Sequence, residues 1–281
     1  MTQELGVFID IPAEEYHADK NIVGHSALVR MLRSPAHYRH YVTTPHEPTP
    51  ALKFGTALHT AVLEPDVFEE TYVVQPKFDR RTKDGKALAE QWELANAEKV
   101  AIEEDKKVCL QGMQSAIARH LGAAKLLRNG WTEKSLFWVD PDTGIMCRIR
   151  PDLLAVDNLG RIIATVDLKS TLDAGKDKFA KSMANYGYDV QAAFYTDGIA
   201  QAIGYEVPFY FLAAESEAPH GVGLYKTGPK TLEAGRAKVR MGLQLMQWCR
   251  ENDTWPSYQP FGEEEEIEIP HWATKMDLDE E

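Results

Sequence analysis

Asp152, Asp167 and Lys169 are the residues whose types and spacing suit chemistry in this chain. Asp152 follows a proline, in Arg150-Pro151-Asp152. Asp167 and Lys169 flank Leu168 near the end of the run Arg161–Ser170, RIIATVDLKS. Ile162, Ile163, Thr165 and Val166 make that run apolar and β-branched, which reads as a buried strand. Leu153 and Leu154 give Asp152 an apolar continuation of its own. Two neighbouring strands would then deliver two carboxylates, 15 positions apart, and one ammonium to a single point. That set can hold a divalent cation and direct water at a phosphodiester. Magnesium suits it, because it keeps waters and takes one or two carboxylates with phosphate oxygens. Leu168 would add its backbone carbonyl. His59 would add an imidazole, which manganese tolerates better than magnesium. Lys169 would orient the water, help lower its pKa or neutralise charge at phosphorus.

The tripeptide alone carries little weight. Composition supplies about two acid-x-Lys triplets by chance in a chain of this length. Four occur, starting at Asp84, Glu104, Asp105 and Asp167. Only Asp167 follows a strand-like run and has a Pro-Asp upstream. The blander reading, a surface ion pair at a strand end, contributes little to stability or function.

Other side chains would surround this point. Lys53–Glu64, KFGTALHTAVLE, reads as a helix ended by Pro65, with Phe54, Leu58, Ala61 and Val62 on one face and His59 beside it. Asp189–Ile203 reads as a second helix that sets Gln191 and Tyr195 on one face and stops at Gly204. Taken singly, His59 suits a helix histidine bonded to a neighbour, and Gln191 and Tyr195 suit a surface amide and a half-buried ring. If Pro151 introduces no bulge, Arg148, Arg150 and Asp152 share a strand face. The two arginines would clamp flanking phosphates, with Ser170 and Thr171 as neutral contacts. Arg81 lies in the basic stretch Lys77–Lys86, read as a solvated or phosphate-gripping loop.

The elements that would carry these residues follow in order. Val7, Ile9 and Ile11 mark an extended lead-in. Ser26 would cap a short helix through Leu32, and Ser34-Pro35 would open the next. Thr71–Val74 is strand-like. Residues 87–128 read as helical, in two helices at Ala87–Asn96 and Glu103–Leu127. Residues 134–168 read as a three-stranded meander with Asp140–Gly144 as its first turn. Asp173–Lys181 reads as a polar connection. Val207–Ala213 and Val222–Tyr225 are strands, and Thr231–Cys249 is an amphipathic helix. The expected organisation is one domain over 1–261, mainly helical in 1–130 and sheet-bearing in 131–261, with an acidic tail at 262–281. Trp255, Tyr258, Phe261 and Trp272 give that end some material for packing.

Composition bounds the answer. The 281 residues are 44% hydrophobic, enough for a sizeable core. No apolar run spans a membrane and no leader is evident, so a cytoplasmic protein with no membrane partner is expected. Cys109, Cys147 and Cys249 are scattered, which points to a reducing compartment and no disulfide framework. The net charge of −12 runs against a nucleic-acid binder. However, the last twenty residues hold nine acids against Lys275, leaving only −4 on the body.

Taken in order, the motifs Gly55-Thr-Ala-Leu-His59, Pro151-Asp152, Asp167-Leu-Lys169 and Gln191-xxx-Tyr195 resemble the PD-(D/E)xK nuclease superfamily. Within it they are similar to the RecB-type, lambda-exonuclease-like branch. Gly24-His-Ser-Ala-Leu-Val, Ser34-Pro-Ala-His-Tyr38 and Arg81-Thr-Lys-Asp-Gly-Lys86 look most like its RecE-type members (exodeoxyribonuclease VIII). The likeness spans roughly residues 5–255.

The resemblance implies an α/β core, a mixed sheet flanked by helices, with an N-terminal helical elaboration. It implies His59, Asp152, Asp167 and the Leu168 carbonyl as metal ligands and Lys169 as catalytic. Gln191 and Tyr195 would support the site. The implied activity is magnesium-dependent exonuclease digestion of one strand of double-stranded DNA from its ends, 5′ to 3′. A ring-shaped homo-oligomer and a single-strand annealing partner in recombination come with it. The other readings are an endonuclease of the same superfamily and a non-catalytic DNA-end-binding module. Asp167 stands where many members have Glu, one methylene longer. Three scattered cysteines argue against the iron–sulfur cluster of some members.

Overall fold

The computed structural model describes residues 4–259 and 262–270. In chain order the N-terminal elements are β1 (Phe8–Ile9), α1 (Ala13–Ala18), α2 (His25–Arg33), α3 (Pro35–Thr43), α4 (Pro50–Leu63) and α5 (Pro65–Thr71). Then come β2 (Tyr72–Val74), α6 (Lys83–Ala95), β3 (Val100–Ile102), α7 (Glu104–Arg119) and α8 (Leu121–Leu127). The sheet-bearing part is β4 (Gly130–Thr132), β5 (Ser135–Val139), β6 (Met146–Ile149), β7 (Leu153–Val156) and β8 (Ile162–Thr171). It continues with α9 (Lys176–Tyr186), α10 (Tyr188–Ile203), β9 (Phe209–Glu215), β10 (Val222–Lys226) and α11 (Pro229–Asn252).

β8 is the central strand of a five-stranded mixed sheet ordered β10-β9-β8-β7-β4. It runs parallel to β9 and antiparallel to β7. Side chains alternate across a strand, so β8 needs cover on both faces. On one face Leu154, Phe209, Phe211 and Ala213 pack against α2, α10 and α11, through Leu28, Val190, Phe194, Leu243 and Met246. On the other, Ala164, Val166, Leu168 and Leu212 pack against α4, α7 and α8, through Leu58, Ala61, Leu110, Met113 and Ala123. This is the expected α/β class, a mixed sheet flanked by helices, with most of the extra helices in the N-terminal half.

Local chemistry explains the elements that hold the site. Thr49 caps α4 by accepting from the Leu52 N–H, with Pro50 at the first turn. Gly187, at φ +69°, lets α9 end and α10 begin at one residue, and Gly204, at φ +83°, ends α10. Ser34 caps α3, accepting from the His37 N–H.

Several expectations are corrected. The meander over 134–168 is divided between two sheets: β5 and β6 join β1 in a separate three-stranded sheet, whereas β7 and β8 belong to the main one. The change of sheet falls at Arg150-Pro151, where proline has no N–H with which to continue a ladder. The gap between the two expected helices of 87–128 holds β3, which pairs in parallel with β2. The second of these helices breaks at His120, whose imidazole accepts from the Ala123 N–H and starts α8. The polar connection after Asp173 folds into α9, and α6 begins within the supposed loop. The residue at the N-cap of α2 is Gly24, not Ser26.

Past α11, Trp255 stacks on Tyr38 at 5.4 Å. Residues 262–270 are exposed, while Phe261, Trp272 and the rest of the acidic tail lie outside the described residues. No helix among the described residues is long and apolar enough to cross a membrane.

Candidate active site

The antiparallel register of β7 on β8 pairs Leu153 with Val166. One step further that register sets Asp152 opposite Asp167. Both carboxylates are nearly enclosed, at 8% and 2% exposed. The Leu168 N–H donates to Asp152 Oδ2 at 2.6 Å, tying the Pro-Asp corner to the central strand. α4 lies across this edge. From it His59 Nε2 reaches the Leu168 carbonyl at 2.7 Å, and Nδ1 stands 3.4 Å from Asp152 Oδ1. From the other side α10 delivers Gln191, whose Nε2 donates to Asp167 Oδ1 at 2.5 Å. Lys169 Nζ lies 2.6 Å from Asp167 Oδ2 and 4.7 Å from the centre of the Tyr188 ring. The structure therefore brings His59, Asp152, Asp167, Leu168, Lys169 and Gln191 together. Tyr195, one turn beyond Gln191, lines the same cavity and points its hydroxyl at the Arg150 carbonyl, 3.5 Å away.

Glu133 is a further acid at this point that sequence reasoning missed. It occupies the turn between β4 and β5 at φ +51°. Ligand atoms of His59, Glu133 and Asp152 all lie within 4.8 Å of one another. Nothing in its neighbours, Thr132 and Lys134, distinguishes it from any turn acid; only the pairing of β4 with β7 brings it to Asp152.

Electrostatics follow from crowding acids in a low-dielectric cleft. Burial and the Asp167 charge hold the Asp152 carboxyl above the usual range, against the pull of His59 and Lys169. Burial and Asp152 push Glu133 up to about 7. Burial would lower the Lys169 pKa, but the Asp167 and Asp152 charges outweigh it and the net direction is up, so the ammonium stays charged.

These residues fit a divalent cation. Gln191 Oε1 is buried with no hydrogen bond among the described residues, whereas Asp167 Oδ2 is met by the Lys169 ammonium at 2.6 Å. A buried oxygen without a donor is costly, and a cation relieves that cost. The donor set of carboxylates, one carbonyl and one imidazole is hard, suited to magnesium or manganese. Asp152, Asp167, His59, Glu133 and the Leu168 carbonyl would hold the ion, with Gln191 orienting Asp167.

The site opens into a cavity of about 810 Å³ that also takes in Lys20, Arg148, Arg150, Ser170 and Tyr188. The two arginines do not project as free clamps. Each donates to a backbone carbonyl of the N-terminal segment, Arg148 to Tyr16 and Arg150 to Ile11. Both guanidiniums stack on the Tyr16 ring, at 4.8 and 4.6 Å. Ser170 borders the cavity, while the Thr171 hydroxyl bonds the Asp173 backbone. Arg81 is 91% exposed, paired with Asp79, and lies outside the cavity lining.

A mixed sheet whose central strand and its neighbour present Pro-Asp and Asp-x-Lys to one cleft defines a PD-(D/E)xK-type nuclease fold. The chain belongs to the family described as PDDEXK-like domain of unknown function (DUF3799), whose model matches residues 24–266. Among solved structures it is similar to a "putative exonuclease" from Eubacterium rectale, with a TM-score of 0.58 and 16% identity. That alignment covers 87% of this chain and 88% of the other. No curated protein matches the chain at a significant level.

Proposed function

We propose that this protein is a metal-dependent exodeoxyribonuclease that degrades one strand of linear double-stranded DNA. The observation that carries the reading is the meeting of two buried carboxylates, Asp152 and Asp167, with the Lys169 ammonium and the His59 imidazole at the edge of β8. A bound magnesium ion would supply an activated water and screen charge at phosphorus. The chain's own groups do the remainder. Asp167 is kept in register by Gln191 at one oxygen and by the Lys169 ammonium at the other. Lys169 stays protonated beside it and stabilises the negative charge that builds on the phosphate as the bond to the leaving oxygen breaks. His59 is fixed by the Leu168 carbonyl, which also sets its tautomer: Nε2 carries the proton toward that carbonyl while no ion is held. Ser170, Arg148 and Arg150 border the cavity where flanking phosphates would lie.

Digestion from ends, 5′ to 3′ and within prophage-type recombination, rests on the RecE-type motifs in the sequence. The exonuclease description of the Eubacterium rectale protein agrees with digestion from ends alone and carries no polarity or recombination role. The same resemblance supports a ring-shaped homo-oligomer and a single-strand annealing partner. Linear and covalently closed duplexes, incubated side by side with magnesium, test the reading. Degradation of the linear form alone is expected. Cutting of both would make the protein an endonuclease, and binding without cutting would make it an end-binding module.

A further inference from the structure

A second groove, of about 790 Å³, begins where the active-site cavity ends. The two share Ser170 and Tyr188 in their walls. β8 continues from Lys169 through Ser170 to Thr171, so the strand that carries the catalytic lysine also floors this passage. Its outer wall is α9, with Lys178, Lys181 and Asn185 facing it. Neither lysine belongs to an ion pair among the described residues, although the net charge of the chain is −12. Of the two acids in the lining, Asp173 is engaged by the Gly175 N–H at 2.8 Å, and Asp105 lies in the first turn of α7.

Aromatic rings run from the catalytic centre into this groove. The Lys169 ammonium sits over Tyr188, and the Tyr188 and Tyr186 ring centres are 5.7 Å apart. Tyr186 is 62% exposed at the rim. A large aromatic face left in water beside unpaired lysines needs a reason. Duplex phosphates call for cations but offer no base face, because the bases are stacked on one another. An unpaired strand offers both, and proteins hold it by stacking bases on aromatic rings beside a cationic track.

We propose that the groove between α9 and the end of β8 holds an unpaired nucleic-acid strand leading away from the scissile phosphate, with a base stacked on Tyr186 and phosphates on Lys178 and Lys181. This rests on the nuclease reading for its direction, but it is tested by binding alone. The full-length protein is titrated into a fluorescent single-stranded oligonucleotide with calcium in place of magnesium, and into a blunt duplex of equal length. Tyr186→Ala should weaken single-strand binding about 5- to 150-fold, from the worth of one base–aromatic stack. Tyr186→Phe should restore it, which a loss of fold would not permit. Changing Lys178 and Lys181 together to Ala should flatten the slope of log affinity against log salt by about 1.4, the value for two single-strand phosphates. Unchanged single-strand affinity in Tyr186→Ala overturns the proposal, as does equal weakening for single strand and duplex. Failure of the protein to cut any DNA would sink the nuclease reading and leave this binding result readable.

Discussion

Lys169 is held by opposing forces: burial disfavours its charge, while the Asp167 and Asp152 carboxylates favour it. Its removal therefore takes away the cation paired with Asp167 and the group placed to meet charge at phosphorus. Lys169→Ala is expected to lower nuclease turnover by at least about 100-fold, measured as acid-soluble nucleotide release from protein shown to be folded by circular dichroism. Gln191 touches no substrate in this account; it aims Asp167. Gln191→Ala should weaken manganese binding about 10- to 100-fold by calorimetry, the usual cost of losing a partner that orients a ligand. An unchanged affinity would remove Gln191 from the site. The Pro-Asp and Asp-x-Lys residues were legible because each borders a β-branched or leucine run that could only be a strand. His59 and Gln191 were legible through helix periodicity together with the family resemblance. Glu133 was not, since a turn acid shows no partner until β4 is seen to pair with β7.

At the scale of elements, α10 matters most, because it is clamped between the sheet and α11. Gly235 of α11 lies directly against α10: an added methyl would stand 2.1 Å from the Asp189 carbonyl oxygen. Helix propensity alone would make Gly235→Ala stabilising by about 1 kcal/mol. Overpacking against α10 should reverse the sign, to a loss of about 1–3 kcal/mol in urea unfolding. A gain in stability would show that the two helices are not in this contact. The α11 seam also carries Asp140, at the β5–β6 turn. Burial would raise its pKa, but hydrogen bonds from Thr143 and Arg240 outweigh that and lower it. A carboxyl depressed in the folded state stabilises fully above its unfolded value and loses that contribution as pH falls through the folded one. Asp140→Asn should then cost about 1–2 kcal/mol near neutrality, with the gap to the parent narrowing below the ordinary value of about 3.9. A gap independent of pH would contradict the ion pair. Periodicity made α4, α10, α11, β8 and β9 readable. It missed β3, three residues long inside helical sequence, and α9, whose polar face hides the buried Phe179. It also ran β6 into β7, because no local signal tells which sheet a strand joins.

For the whole molecule, acidity is the feature a DNA-acting protein must accommodate. Much of it sits in the last twenty residues, and the described part of that tail is exposed. Within the body, the cations that border the cleft are gathered: Lys20, Arg148, Arg150 and Lys169 in the cavity, Lys178 and Lys181 in the groove beyond. A ring would concentrate such a lining on a channel and leave the acidic surface outside. It predicts a closed oligomer in sedimentation velocity at low micromolar concentration, and a monomer there would contradict it. The central claim is narrower: phosphodiester hydrolysis at the edge of β8. Its most direct measurement is mononucleotide release from a linear, 5′-phosphorylated duplex with magnesium, run beside EDTA and beside Lys169→Ala. Release by the parent that EDTA and Lys169→Ala each abolish is the result expected. No release from folded, metal-supplied parent protein, or release undiminished in Lys169→Ala, would contradict it.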